Sequence, residues 1–185
     1  MRSAARRFGE RGFAGTTVEA IAAGAGVSNG LLYQFFRNKE HLFEVVVDRV
    51  LREWVRAMVA REEPEPRSAA DRLEGLFRRS YHFARSHPLL PALLCGEAGR
   101  GRRGTGSVAP ERVVAHRAHV ARILREGIES GELAPDLDVD AVADVICTLQ
   151  VEYSVRAYRR DPLFPVSDAH VDAAVRFIRD AVTRR

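Results

Sequence analysis

TTVEAIAAGAGVSNGLLYQFFRNKEHLF, residues 16–43, contains three helix starts and two helix ends in quick succession. Thr16-Thr17-Val18-Glu19 has the form of a capping box: Thr16 accepts from the Glu19 N–H while Glu19 reaches back. It predicts a helix running to about Ala25, closed by Gly26. Ser28 suits the N-cap of a second helix ending near Phe35, and Asn38 that of a third. A helix from Ser28 to Phe35 is too short to persist alone, so it must be anchored by its neighbours. Ile21 and Ala22 on the first helix, Val27 in the turn, and Leu32 and Phe36 on the second are the core-facing positions. Ser28, Asn29, Gly30, Tyr33 and Gln34 are left on the outer face. That polar, small and aromatic set suits a helix lying in a DNA major groove.

Charge placement points the same way. The chain of 185 residues carries a net charge of +4. Residues 1–39 hold Arg2, Arg6, Arg7, Arg11, Arg37 and Lys39 against Glu10 and Glu19, so this segment accounts for all of it. Such a concentration is a plausible footprint for a polyanion, although a solvated basic face has the same composition.

Outside this stretch the periodicity is helical throughout. Helices are predicted over about 2–12, 38–62, 68–86, 88–98, 110–130, 138–159 and 168–183. With the two short ones already described, they make an all-α chain of about nine helices. Leu42, Val46, Val50, Trp54 and Met58 form one stripe of the long third-start helix, and Phe43, Val47, Leu51, Val55 and Val59 its neighbour. Glu62-Glu63-Pro64-Glu65-Pro66 reads as a polar linker, and GRGRRGTG at 99–106 as a solvated basic loop. Val139, Val142, Ile146, Leu149, Tyr153 and Ala157 line one late helix; Val171, Ala174, Val175, Ile178 and Val182 line the last. Both stripes suit burial in the same subunit or in a partner.

Several classes are excluded or disfavoured. At 46% apolar and 29% charged residues the chain is of globular composition. No apolar run approaches the ~18–20 residues of a membrane span. MRSAARRFGERG is basic but lacks the apolar segment of a secretory signal. Cys95 and Cys147 form no motif, which fits a reduced, cytoplasmic protein, and Cys95 reads as a small buried apolar residue. His116 and His119 are spaced to share a metal, but no further ligand set completes a site, so no metal or other cofactor is expected. No zinc-protease, nucleophile-elbow, Walker or dinucleotide pattern appears, and an enzyme is not indicated.

The segment closely resembles the DNA-binding region of tetracycline-repressor (TetR)-type transcriptional regulators. Thr16-Thr17, Ile21-Ala22, Ala25-Gly26-Val27-Ser28, Gly30, Leu32-Tyr33, Phe36, Lys39-Glu40 and Leu42 carry the likeness, which is sharp over about residues 8–45. The resemblance implies a three-helix helix-turn-helix DNA-binding domain at 1–45, with its motif at about 16–36. A larger helical domain for ligand binding and dimerisation would follow at 46–185. Asn29, Gly30, Leu31 and Gln34 would face bases, with Ser28 at the start of the same helix, and Thr17, Tyr33 and Lys39 would meet phosphate. The family's first helix normally begins further upstream, whereas only MRSAARRF precedes Gly9 here, so either the first helix is short or the start is misassigned. Phe35-Phe36 replaces the more common polar–Phe pair, leaving Phe35 exposed or packed on the long helix.

For the body, the resemblance implies a small-molecule cavity with Trp54, Met58, Phe77, Tyr81, His82, His116, His119, Gln150 and Tyr153 as candidate lining residues. It also implies a homodimer in which the last two helices of each subunit form a four-helix bundle, reading a palindromic double-stranded operator. The function expected is therefore a ligand-responsive DNA-binding regulator, a repressor released from its operator by a small molecule. A helical ligand-binding module that has lost DNA binding is the alternative.

Overall fold

The computed structural model describes residues 1–59, 68–99, 110–160 and 162–183. The Glu62–Pro66 linker and all but the first residue of the 99–106 loop lie outside them. The described helices are α1 (Arg2–Arg11), α2 (Val18–Ala25), α3 (Asn29–Phe35), α4 (Lys39–Val59), α5 (Ala69–Ser86), α6 (Leu89–Leu94), α7 (Pro110–Glu129), α8 (Val139–Arg159) and α9 (Asp168–Val182). The only β pairing among the described residues is an isolated antiparallel bridge, Leu133 to Thr183.

The local signals behave as read, with one shift. Thr17, not Thr16, caps α2: its Oγ1 accepts from the Ala20 N–H at 3.2 Å. Thr16 is buried, and its hydroxyl lies 2.8 Å from Gly12 O and 3.1 Å from Arg7 O, sharing its proton between two carbonyls at the end of α1. Two adjacent threonines could each cap a helix; the tertiary contact with α1 decides which one does. Thr16→Val keeps the shape and removes this bond, so it should cost about 1–3 kcal/mol for the carbonyls left unmatched. Chemical denaturation compared with a variant at an exposed threonine, Thr148→Val, checks the difference.

Gly26 sits in the left-handed region at φ 68°, and the Val27 N–H turns back onto Ala22 O at 3.1 Å, ending α2 sharply. Ser28 Oγ accepts from the Leu31 N–H at 3.2 Å, and Asn38 Oδ1 from the His41 N–H at 2.8 Å, starting α3 and α4. The sixth helix stops at Leu94 rather than near residue 98, because Gly96 adopts φ 74° and the Ala98 N–H folds back onto Ala92 O.

An aromatic knot holds α1 and the α1–α2 loop to α4. Phe8 and Phe13 meet Phe43 edge-on, with centroids 4.9 and 5.4 Å apart. In the body, α5 is central and packs against α4, α7, α8 and α9, while α6 bridges α1 and α8. The hydrophobic core is continuous from Phe8 and Phe43 to Leu76, Leu124 and Ile178. Arg78 pairs with Asp172 at 2.5 Å and Arg179 with Asp71, pinning α9 to α5 at the surface.

Candidate DNA-reading face and effector layer

The third helix is presented rather than buried: none of its residues is fully enclosed. Leu32 and Phe36 are half-buried and pack against the core, while Gly30, Leu31, Tyr33, Gln34 and Phe35 are exposed and Asn29 is half-buried. Phe35 projects to solvent at 68% exposure, settling where the first aromatic of the Phe35-Phe36 pair goes. Thr17 and Ser28 are exposed, each with its oxygen accepting from a backbone N–H and its hydroxyl proton left to donate.

Lys39 departs from the simplest reading. Its ammonium turns inward, donating to Phe13 O and Thr16 O at 3.0 Å each and lying 4.2 Å from the Phe13 ring centroid. Two of its three N–H groups thus clamp the loop between α1 and α2. Only the third remains for a phosphate. Sequence reasoning could not find this cage, because backbone carbonyls leave no mark in a residue pattern.

The nine candidate effector residues do not share one cavity. His82 is exposed on α5, and His119 Nδ1 lies 3.1 Å from Arg122 Nη2. Of the nine, only Tyr81 borders either of two large open clefts. One is about 980 Å³, beside α8 and the start of α9; the other is about 850 Å³, between α1, α4 and the α5–α6 junction. What does come together is a buried layer between α4, α5, α7 and α8. Trp54 lies against His116, ring centroids 4.9 Å apart, and His116 Nε2 is 2.9 Å from Gln150 Oε1. Met58 is buried on α4, and Phe77 meets Tyr153 edge-on at 5.6 Å. The two histidines of the spacing that suggested a metal therefore have different partners. Among the described residues no group of three potential ligands could hold an ion.

Burial pushes the His116 pKa below 6.5, its hydrogen bond to Gln150 opposing this more weakly. The imidazole is thus neutral at pH 7. Below pH 6.5 the unfolded chain binds a proton that the folded chain refuses, so this group makes stability fall with acidification, by at most about 1.4 kcal/mol per pH unit. The loss ends once pH drops below the folded-state value. Thermal melts between pH 7.5 and 5 should show a steeper decline for the parent than for His116→Phe.

Cys147 is pushed up to about 11, by burial first and by Asp144 second, and stays a thiol at neutral pH. Cys95 is half-buried rather than enclosed, its Sγ 3.6 Å from Ala92 O. The apolar stripes of the last two helices face their own core: Ile146, Val171, Ala174, Val175, Ile178 and Val182 are buried, and Val142, Leu149, Tyr153 and Ala157 pack against them. Val145 and Val151 on α8 and Phe177 on α9, the last 65% exposed, lie outside. No helix among the described residues is long and apolar enough to cross a membrane.

A capped helix-turn-helix head, joined by one long helix to a helical body, has the architecture of a DNA-binding regulator. Residues 1–46 match the family model described as "Bacterial regulatory proteins, tetR family". The chain is 37% identical over 143 residues to the HTH-type transcriptional repressor KstR2 of Mycobacterium tuberculosis, covering 75% of this chain and 70% of that protein. The solved structure of the ketosteroid transcriptional regulator KstR2 of Mycobacterium tuberculosis superposes with a TM-score of 0.68 at 28% identity, over 98% of this chain and 92% of that one. FadR of Bacillus subtilis in complex with stearoyl-CoA shares the fold, with a TM-score of 0.71 at 21% identity, over 96% of this chain and 92% of that one. The chain belongs to the TetR family, and it is a ligand-responsive transcriptional repressor. Its relatives are regulators, not enzymes.

Proposed function

We propose that the protein acts in the cytoplasm as a homodimer on a palindromic operator and is released by an apolar small molecule. The observation that carries this reading is the outward face of α3, capped at its start by Ser28, closed at its end by the Phe36 N–H on Leu32 O, and left uncovered by the body. Residues 1–45 serve as the reading head, 46–185 as the regulatory body. Asn29, Gly30, Leu31 and Gln34 face base edges, with Gln34 suited to adenine. Thr17, Ser28 and Tyr33 meet phosphate, and Lys39 adds its remaining N–H there while holding the head in shape.

The exposed Val145, Val151 and Phe177 support pairing through the outer faces of α8 and α9, with the predicted stripes kept for the subunit's own core. Two heads at fixed separation then read two half-sites. The effector enters the layer of Trp54, Met58, Phe77, His116, Gln150 and Tyr153, and α4 transmits its arrival because that helix runs from Lys39 to the layer. A ligand that binds better when the heads are displaced must weaken operator affinity by the same factor.

Fluorescence anisotropy on labelled DNA from upstream of the protein's own gene, with a salt series and a panel of apolar metabolites, tests the reading. Tight binding with a steep salt slope, reversed by one panel member, is expected. Affinity no better than for unrelated DNA of equal length would overturn it in favour of a ligand-binding module.

A further inference from the structure

Trp54 and Gln150 are 8% and 4% exposed, yet Trp54 Nε1 and Gln150 Nε2 find no hydrogen-bond partner among the described residues. Both belong to side chains that touch the same imidazole: the indole lies against His116, and the Gln150 carboxamide oxygen meets its Nε2. Buried donors are nearly always matched, so two unmatched ones on either side of one histidine call for a reason. An indole N–H and a carboxamide NH₂ can only donate, so what completes them must accept. Turning the carboxamide over would exchange its free donor for a free acceptor. The indole has no such alternative, so the demand for an acceptor stands on Trp54 alone.

Charge narrows the acceptor further. His116 is neutral in this setting, and the guanidinium groups of Arg72, Arg78, Arg117 and Arg179 are paired with carboxylates at the surface of the body. A carboxylate brought between Trp54 and Gln150 would lose its water beside a neutral imidazole. A neutral oxygen incurs no such penalty, and Met58, Val120 and Ile146, one turn along their helices from Trp54, His116 and Gln150, are buried apolar side chains.

We propose that this layer selects an apolar effector bearing an uncharged carbonyl oxygen, which takes the free N–H of Trp54 and of Gln150. This rests on reading the layer as the effector site. A carbonyl oxygen that takes both N–H groups bonds to them only in the liganded state, which supplies the differential affinity a switch needs.

Trp54 is the chain's single tryptophan, so its emission reports the layer directly. The full chain would be titrated at pH 7.5 with 2-decalone, decalin and decalin-2-carboxylate, which share one carbon frame. Trp54 emission, calorimetry and release of labelled upstream DNA would be followed together. The ketone should bind about tenfold or more tighter than the hydrocarbon, with the carboxylate no tighter than the hydrocarbon. Trp54→Phe, read by calorimetry, should remove most of that preference, and Gln150→Leu, which keeps the indole donor and its emission, should remove part of it. Equal binding of ketone and hydrocarbon, or strongest binding of the carboxylate, overturns the carbonyl assignment and leaves the effector site standing. If none of the three changes Trp54 emission while another compound releases the DNA, the layer is not the effector site and both readings fall.

Discussion

Gly9→Ala is expected to lower the melting temperature and to cut the link by which a ligand in the body loosens the head from DNA. A β-carbon on Gly9 would stand 2.5 Å from Leu89 N and 2.6 Å from Pro88 C, both backbone atoms that cannot rotate away. The first helix would have to lift off α6. That motion would also strain the bond from the Tyr158 hydroxyl to Gly9 O, now 2.5 Å, and the neighbouring Phe13 N–H to Ala98 O bond of 2.8 Å. Overpacking of this kind costs about 1–3 kcal/mol, and at this chain length each kcal/mol lowers the midpoint by roughly 2–4 °C. Gly30→Ala is the control, because its β-carbon would meet nothing closer than Ser28 Oγ at 3.9 Å. It should leave the midpoint unchanged or slightly raised, through better helix propensity. The diagnostic measurement is the ratio of operator affinities with and without a releasing ligand. For Gly9→Ala it should fall toward one, and for Tyr158→Phe, which spares the packing, it should fall part of the way. An unchanged ratio in both would mean that the ligand's signal bypasses the α1–α6–α8 junction.

What could be read in the sequence was what is local. Ser28 to Leu31 and Asn38 to His41 are bonds three residues long, and Gly26 has the only side chain indifferent to its φ, so the head was visible in one short window. Choosing between Thr16 and Thr17 already required knowing that α1 lies over Thr16. In the body the periodicity of α8 and α9 was legible, but a stripe does not say what it packs against. Ile146 and Val175 turned out to serve the subunit's own core, leaving Val145 and Phe177 outside. His82 and His119 entered the candidate set by residue type alone, and the helix faces on which they sit separated them from it. His116 and Gln150 are 34 residues apart, and only the packing of α7 on α8 brings them within 2.9 Å.

Lys39→Met should destabilise the head before it touches the electrostatics of DNA binding. The ammonium holds Phe13 O and Thr16 O together at the point where the chain leaves α1 for α2, and it does so over the face of an aromatic ring. Hydrogen bonds from a charged donor contribute about 1.5–3 kcal/mol, and the ring adds roughly 0.5–1 kcal/mol at a half-exposed site. Methionine would fill the space over Phe13 and leave both carbonyls without their donor, so a loss of about 2 kcal/mol is expected from the same energies. A lysine used only to touch phosphate would behave otherwise: the melting point would hold, affinity would fall evenly across sequences, and the salt slope would shrink by about one. Lys39→Arg separates the two cases. A guanidinium restores charge toward a phosphate, but its planar fork cannot place donors on two carbonyls above one ring as a compact ammonium does. If Lys39 is chiefly a clamp, arginine should recover the salt slope without recovering the melting temperature, and operator affinity should follow the fraction of heads still folded.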